Sequence, residues 1–364
     1  MDVHTTNHTL CCYSMEDDRF FAEVQVEPDA KNILKYLARI EKQQSRDCRM
    51  VCGYEAGCLG YSLYHQLYAH GIDCVILAPT TMMTKPGKRI KTDRRDARLI
   101  SKCLAFHTYS PVYIPTEVDD AVKGYIRMRD DANSALARVK QQIIAFCIRH
   151  GKIHDGKSYW TNKHLEWLSS LDLGNKILSE VLQEYLIRYY QLREQVDMYD
   201  MRINELAQAE PYRQKVEKLG CFRGIAAHTA LSFCVEVGDF RRFATAQQFA
   251  SYLGLVPGEC SSGDKQQYTG ITKAGNSHLR KLLVETAQVF GRSATKSGKS
   301  VALKERQAKC DSLTVAYADK ANARLKKKYF KIAMRSKVNI AKTAVAREMA
   351  CFIWGMMTDN ISCA

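Results

Sequence analysis

The segment Lys91-Thr92-Asp93-Arg94-Arg95-Asp96-Ala97-Arg98 places two carboxylates three residues apart among four basic side chains. On the first turn of a helix, residues with that spacing project from one face. Carboxylates so close repel each other, and a divalent cation between them makes the arrangement favourable, as in Mg²⁺ sites completed by phosphate oxygens. A metal beside a basic surface is suited to phosphodiester chemistry. The same residues also have a reading without chemistry, in which Thr92 or Asp93 caps the helix, Asp96 complements its dipole and the bases are solvated. Carboxylates elsewhere in the chain decide between the two.

The elements that must position this pair follow from the pattern before it. Residues His8 to Val26 alternate or run apolar around Glu16-Asp17-Asp18, which predicts a β-hairpin. Ile33, Leu34, Leu37 and Ile40 have helical spacing, and the polar Glu41-Lys42-Gln43-Gln44 ends that helix. Met50-Val51-Cys52 reads as a short buried strand leading into Tyr54-Glu55-Ala56-Gly57. A helix through Tyr61, Leu63 and Leu67 follows, then a strand Cys74 to Ala78 that stops at Pro79. Hairpin, helix, strand, helix, strand, loop and helix make an α/β pattern with a mixed sheet. Function collects beyond the carboxyl ends of strands in such sheets. Glu55 lies at one such end and Asp93 beyond the next, after a loop with Lys85, Lys88 and Arg89.

Asp2, in Met1-Asp2-Val3-His4, is the remaining candidate carboxylate. With it, the sequence resembles the DEDD-type insertion-sequence transposases, whose amino-terminal domain is RNase H/RuvC-like. That family's pattern is an apolar strand ending in Asp, a Glu-Ala-x-Gly turn and Lys-Thr-Asp-x-x-Asp-Ala. Its four carboxylates fall here on Asp2, Glu55, Asp93 and Asp96. Family members carry several apolar residues before the first Asp, whereas this sequence has one. The expectation is therefore a truncated first strand, with Asp2 on a mobile terminus.

Glu117 to His150 reads as a long helix with Val122, Tyr125, Ala132, Leu136, Val139, Ile143 and Phe146 on a heptad track that Arg129 interrupts. A second helix repeats the track at Leu178, Leu182, Tyr185, Tyr189, Leu192, Val196, Tyr199, Ile203 and Leu206. An antiparallel coiled coil is expected, within one chain or between subunits, with an ordinary helical bundle as the alternative. Between them, Gly151-Lys152-Ile153-His154-Asp155-Gly156-Lys157-Ser158 has Walker A spacing but lacks the strand before it and the helix directly after it, so it reads as a basic loop.

The last third carries the densest resemblance. Gly238-Asp239-Phe240-Arg241-Arg242-Phe243, Phe249-Ala250-Ser251-Tyr252-Leu253-Gly254-Leu255-Val256-Pro257, Ser261-Ser262-Gly263, Ile271-Thr272-Lys273-Ala274-Gly275-Asn276, Leu279 and Arg280 follow the carboxyl-terminal transposase domain almost without gaps. Leu219 to Ala226 stands where the family has a Pro-Gly-Ile-Gly turn, with Arg223 and Ala226 departing from it. The family's nucleophile falls on Ser262, with Ser261 the adjacent ambiguity. A serine beside glycine would otherwise read as a turn residue. Lys265, Lys273, Arg280 and Lys281 could offset charge developing on phosphate. Asn276 or Ser277 is expected to cap the helix whose Leu279, Leu282 and Leu283 are core.

At 364 residues, with 54 Lys+Arg against 39 Asp+Glu and a formal charge of +15, the chain suits a polyanionic partner. It shows neither a signal peptide nor a long apolar run, so no membrane association and a cytoplasmic location are expected. The 14 Cys are scattered and expected to be free thiols. Cys48, Cys52 and Cys58 form the nearest approach to a zinc cluster, without a second pair. Lys91, Arg94, Arg95, Lys265, Lys273, Arg280, Lys326, Lys327 and Lys328 are the candidate nucleic-acid contacts.

Three domains are expected: a RuvC-like domain over 1–112, a helical coiled-coil region over 113–213, and a mainly helical transposase domain over 214–364. The resemblance implies Mg²⁺ on Asp2, Glu55, Asp93 and Asp96, a covalent phosphoserine at Ser262, and a meeting of serine and carboxylates across subunits. It also implies an element-encoded guide RNA and a homo-oligomer, dimer or tetramer, acting on element and target DNA. The rivals are a RuvC-like nuclease that hydrolyses DNA with water and a decayed, non-catalytic nucleic-acid binder.

Overall fold

The computed structural model describes residues 1–43, 49–57, 59–82, 92–259, 267–292 and 298–361. These form two compact units, Met1–Ile114 and Pro115–Ala364.

The first unit is built on short strands. β1 (Asp2–Val3), β2 (His8–Ser14) and β3 (Arg19–Val26) form an antiparallel sheet in that order, with a register shift between Leu10 and Cys12. β4 (Cys52–Glu55) and β5 (Cys74–Leu77) pair in parallel. The two sheets are separate, and the Met1 nitrogen donates to Gly53 O at 2.7 Å, which sets the start of β1 beside β4. The element order follows the hairpin-first α/β pattern, but the single mixed sheet expected from it is here an antiparallel sheet and a separate parallel pair. α1 (Ala30–Gln43) and α2 (Ser62–Ala69) cover them with Ile33, Leu37, Ile40, Leu63 and Leu67, against Leu10, Tyr54 and Ile76. α3 (Asp93–Ala105) closes the unit with Ile100 and Cys103, which pack with Leu77 and Met82.

Two further expectations are corrected here. Asp2 is not on a loose terminus: it pairs with Thr9 in β1, is half-buried, and follows a buried Met1. The strand expected at Met50–Cys52 runs instead from Cys52 to Glu55, so Glu55 belongs to the strand rather than to the turn after it. Gly53 disguises the strand in the sequence, because glycine is a poor strand former. It is suited to this place because a Cβ there would come within 2.9 Å of the Leu77 and Leu104 side chains.

Among its described residues the second unit is helical apart from one small ladder. α4 (Glu117–Arg149) and α6 (Lys176–Gln208) pack antiparallel, shown by the pairs Tyr125–Tyr199 and Phe146–Tyr185. Leu136, Val139, Ile143 and Phe146 bury against Leu182, Leu186, Tyr189 and Val196, as the two apolar tracks require. Arg129, the break in the first track, is satisfied by Asp200 of α6, with Nε at 2.7 Å and Nη2 at 3.0 Å. The Walker-like segment at 151–158 follows α4, and α5 (Asn162–Ser169) starts only after it. Its His154 ring packs among Tyr159, His164 and Trp167, which is an aromatic corner rather than a phosphate cradle.

Beyond α6, α7 (Arg213–Gly220), α8 (Ala227–Val237) and α9 (Ala246–Tyr252) lead to the ladder β6 (Pro257–Glu259) and β7 (Tyr268–Ile271), followed by α10 (Ser277–Ala287). α11 (Val301–Gln307), α12 (Ser312–Ala333) and α13 (Val338–Met357) complete the unit. Phe222, Phe233, Phe249, Leu279, Leu283, Leu325 and Met349 are among the buried residues of one continuous core.

Candidate active site

The first candidate pair is placed by a helix start. Thr92 is the N-cap of α3, its hydroxyl accepting from Arg95 N at 3.4 Å, so Asp93 and Asp96 fall in the first turn. Both the capping and the shared-face readings of this segment hold, because the cap fixes where the helical phase begins. The positive end of the helix dipole also favours carboxylates there.

β1 brings Asp2 to the same place. His4 Nε2 lies 3.3 Å from Asp2 Oδ2 and 3.9 Å from Asp93 Oδ1, and one ligand atom from each of the three residues falls within 4.8 Å of the others. His4 was not singled out in the sequence. A histidine two residues after a strand aspartate returns to the same face of the strand, and that period-2 spacing is the signal that could have found it.

Glu55 ends β4, whose Gly53 O accepts from the Met1 nitrogen ahead of β1, and Asp96 lies one turn into α3 from Asp93. Neither belongs to the close Asp2–His4–Asp93 group. Two carboxylates and an imidazole are donors that a divalent cation accepts, oxygen for hard ions and nitrogen for borderline ones. The donor set therefore fits a divalent metal.

The candidate nucleic-acid contacts differ in their surroundings. Arg94 Nε is 3.3 Å from Glu23 Oε1 and Arg98 Nε is 2.6 Å from Glu23 Oε2, so β3 fixes one side of α3 through a shared carboxylate. Arg95 is exposed on the same turn. Lys273 is exposed in a left-handed backbone conformation, φ +56°. Arg280 Nη1 donates to Leu253 O at 2.9 Å and Ala274 O at 3.2 Å, which makes it a brace for the surrounding turn. On α12, Lys327 is exposed, whereas Lys328 Nζ sits 2.6 Å from Glu348 Oε2 and Arg324 pairs with the same carboxylate. Burial would push the Glu348 carboxyl up, but these two cations outweigh it and hold it below its ordinary range. Lys91, Ser261, Ser262 and Lys265 lie outside the described residues, as do Lys85, Lys88, Arg89, Cys48 and Cys58.

Asn276 is the cap of α10, its Oδ1 accepting from Leu279 N at 2.9 Å. The described cysteines, Cys52 among them, are free thiols. No helix among the described residues is long and apolar enough to cross a membrane.

Comparison with known proteins covers both units. Residues 1–148 match the DEDD transposase model of IS110 elements, and residues 217–306 match the transposase model of the IS116/IS110/IS902 family. A putative transposase, y4qE, of Sinorhizobium fredii is 36% identical over 84% of this chain and 75% of its own length. The transposase for insertion sequence element IS1533 of Leptospira borgpetersenii is 31% identical over 90% of this chain and 94% of its own length. The transposase for insertion sequence element IS1111A of Coxiella burnetii is 25% identical over 70% of this chain.

Proposed function

Because the chain belongs to the IS116/IS110/IS902 family of insertion-sequence transposases, we propose that it cuts and rejoins DNA through a serine nucleophile assisted by a divalent metal. The convergence of Asp2 and Asp93 from a strand and a capped helix start is the observation that carries the metal half of this reading. Asp2, Glu55, Asp93 and Asp96 would hold Mg²⁺, and His4 stands beside them. When bound, the metal supplies Lewis-acid polarisation of a phosphoryl oxygen and charge stabilisation.

The rest is done by the chain's own groups. Ser262 supplies the hydroxyl that attacks phosphorus; the Oγ–P bond forms as the bond to the leaving 3′ or 5′ oxygen breaks, and a later DNA hydroxyl reverses the exchange. Energy of the phosphodiester is retained in the phosphoserine, so rejoining needs no nucleotide cofactor. Lys273 and Lys327 offer exposed positive charge for the DNA backbone. An element-encoded RNA guides the choice of DNA, and the active form is a homo-oligomer assembled through the α4–α6 coiled coil. In functional terms the chain divides into a RuvC-like part over 1–112, a coiled-coil part over 113–213 and a serine transposase part over 214–364.

The test is to incubate the protein with element-end DNA, its RNA and Mg²⁺, denature the mixture, and map any adduct that survives. A phosphoester on Ser262, lost in Ser262→Ala and without Mg²⁺, is the expected result. Strand cleavage that persists in Ser262→Ala without an adduct would show hydrolysis by water instead.

A further inference from the structure

The second unit contains a buried charge cluster that the scheme above does not use. His278, in the first turn of α10, places Nδ1 2.6 Å from Glu236 Oε1 on α8 and Nε2 2.7 Å from Asp130 Oδ2 on α4. A ring with a carboxylate oxygen at each nitrogen donates from both, so it is the imidazolium. Glu236, its side chain 2% exposed, also accepts from Arg127 Nη2 at 2.6 Å and from Asn276 Nδ2 at 2.5 Å. Asp130 accepts from Arg129 Nη1 at 3.3 Å, and Arg129 in turn is forked onto Asp200 of α6. His228 Nε2 of α8 lies 3.0 Å from Asp130 Oδ1.

The charges explain each other. Burial would lower the His278 proton affinity, but hydrogen bonds to Asp130 and Glu236 outweigh it and raise its pKa. Burial would likewise raise both carboxyls. The nearby imidazoles hold Asp130 well below its usual range, and His278, Asn276 and Arg127 do the same for Glu236.

The cluster ends on a particular piece of chain. Asn276, besides bonding Glu236 and capping α10, donates its backbone N–H to Tyr252 O at 2.9 Å. Tyr252 OH in turn reaches Glu236 O at 3.3 Å. Just before Asn276, Thr272 N donates to Val256 O at 2.9 Å and Lys273 N to Gly254 O at 3.1 Å. Those bonds stitch the chain leaving β7 to the chain entering β6. Contact there is so close that a Cβ on Gly275 would lie 2.1 Å from Tyr252 O. The base of the β6–β7 ladder, which brackets Ser262 in the sequence, is thus tied through Asn276 and Glu236 to His278 and the long helix α4.

We infer that His278 is a positioning residue for strand transfer: clamped between Asp130 of α4 and Glu236 of α8, it fixes the base of the β6–β7 ladder. The functional half of this inference rests on the reading of Ser262 as nucleophile. A merely structural ion cluster would change stability alone, whereas a positioning clamp makes the reaction follow the proton on His278.

Asp130→Asn keeps the shape and removes one of the two charges that hold that proton. In this variant the His278 ring resonance, followed by NMR, should titrate at lower pH than in the wild type. Cleavage of element-end DNA by the variant, relative to wild type, should be highest at acid pH and fall about tenfold per pH unit between the variant's and the wild type's His278 midpoints. Melting curves at each pH confirm that the variant is folded during the assay. His278→Gln should be slow at every pH, with no such slope. A variant-to-wild-type ratio flat in pH while the His278 resonance titrates would overturn the inference, as would a neutral His278 in the wild type at pH 7. Absence of a Ser262 adduct in wild type that still cleaves DNA would count against the serine reading and leave the ratio readable.

Discussion

Asp2 and Asp93 in the first unit have a histidine beside them, and the Asp93 side chain is 48% exposed. Asp130 and Glu236 in the second unit have a histidine between them, with Glu236 almost wholly buried. In the second cluster, protein cations face the carboxylates at hydrogen-bond distance, because a buried charge without a partner costs several kcal/mol. In the first, His4 Nε2 reaches Asp2 Oδ2 at 3.3 Å but stands 3.9 Å from Asp93, too far for a hydrogen bond, and the Asp93 side chain stays half exposed. Similar residue types therefore do different work according to how much of their charge the protein itself neutralises.

Substitutions should separate the two clusters. The largest effect expected is from Asp93→Asn, which should slow Mg²⁺-dependent cleavage of element ends by roughly 10²–10³-fold while shifting stability by less than about 1 kcal/mol. A gel assay beside a urea melt measures both, and a large loss of stability would erase the contrast. Glu236→Ala should do the reverse in its primary effect, destabilising the fold by about 3 kcal/mol because the buried His278 keeps only Asp130 and Arg127 and Asn276 lose their shared acceptor. Urea unfolding followed by circular dichroism reads this directly.

The pH dependence of stability sharpens the same contrast. Asp130 and Glu236 have depressed folded pKa values, so their stabilisation is present above the ordinary carboxylate range and is lost as pH falls through the folded values. His278 has a raised folded value, so its contribution is complete below about 6.5 and is lost as pH rises through that raised value. Melting temperature should therefore fall toward acid as the carboxylates protonate and fall again as pH rises through the raised His278 value, and Asp130→Asn should flatten part of both limbs. In the α4–α6 seam, Asp200→Leu should cost about 1–3 kcal/mol, because Arg129 loses its forked partner and keeps only Asp130, and adding Arg129→Leu should recover only part of it, since Asp130 then loses a donor. The smallest effect is expected for Thr92→Ala, about 1 kcal/mol in the first unit from loss of the α3 cap.

How much of this could be read beforehand depended on how local the cause was. The α3 start, the Asn276 cap and the two apolar tracks are set within a few residues, and the sequence displays them. The β4 boundary was misplaced because parallel pairing with β5 keeps Gly53 and Glu55 in a strand against their propensity. The His278 clamp was invisible for a different reason: its partners lie 42 and 148 residues away, and a lone histidine in a helical stretch carries no sign of two distant carboxylates. His4 falls between these cases, near Asp2 in the chain but given meaning only by α3.

The cap at Thr92 also limits how the gene can change length. Each residue of an α-helix turns the chain by about 100°, so one codon inserted between Asp93 and Asp96 would swing the second carboxylate off the shared face. The same insertion ahead of Thr92 would leave their mutual orientation untouched. Frame-preserving insertions and deletions should therefore be purged between Asp93 and Asp96 and leave the pair's geometry unchanged ahead of Thr92.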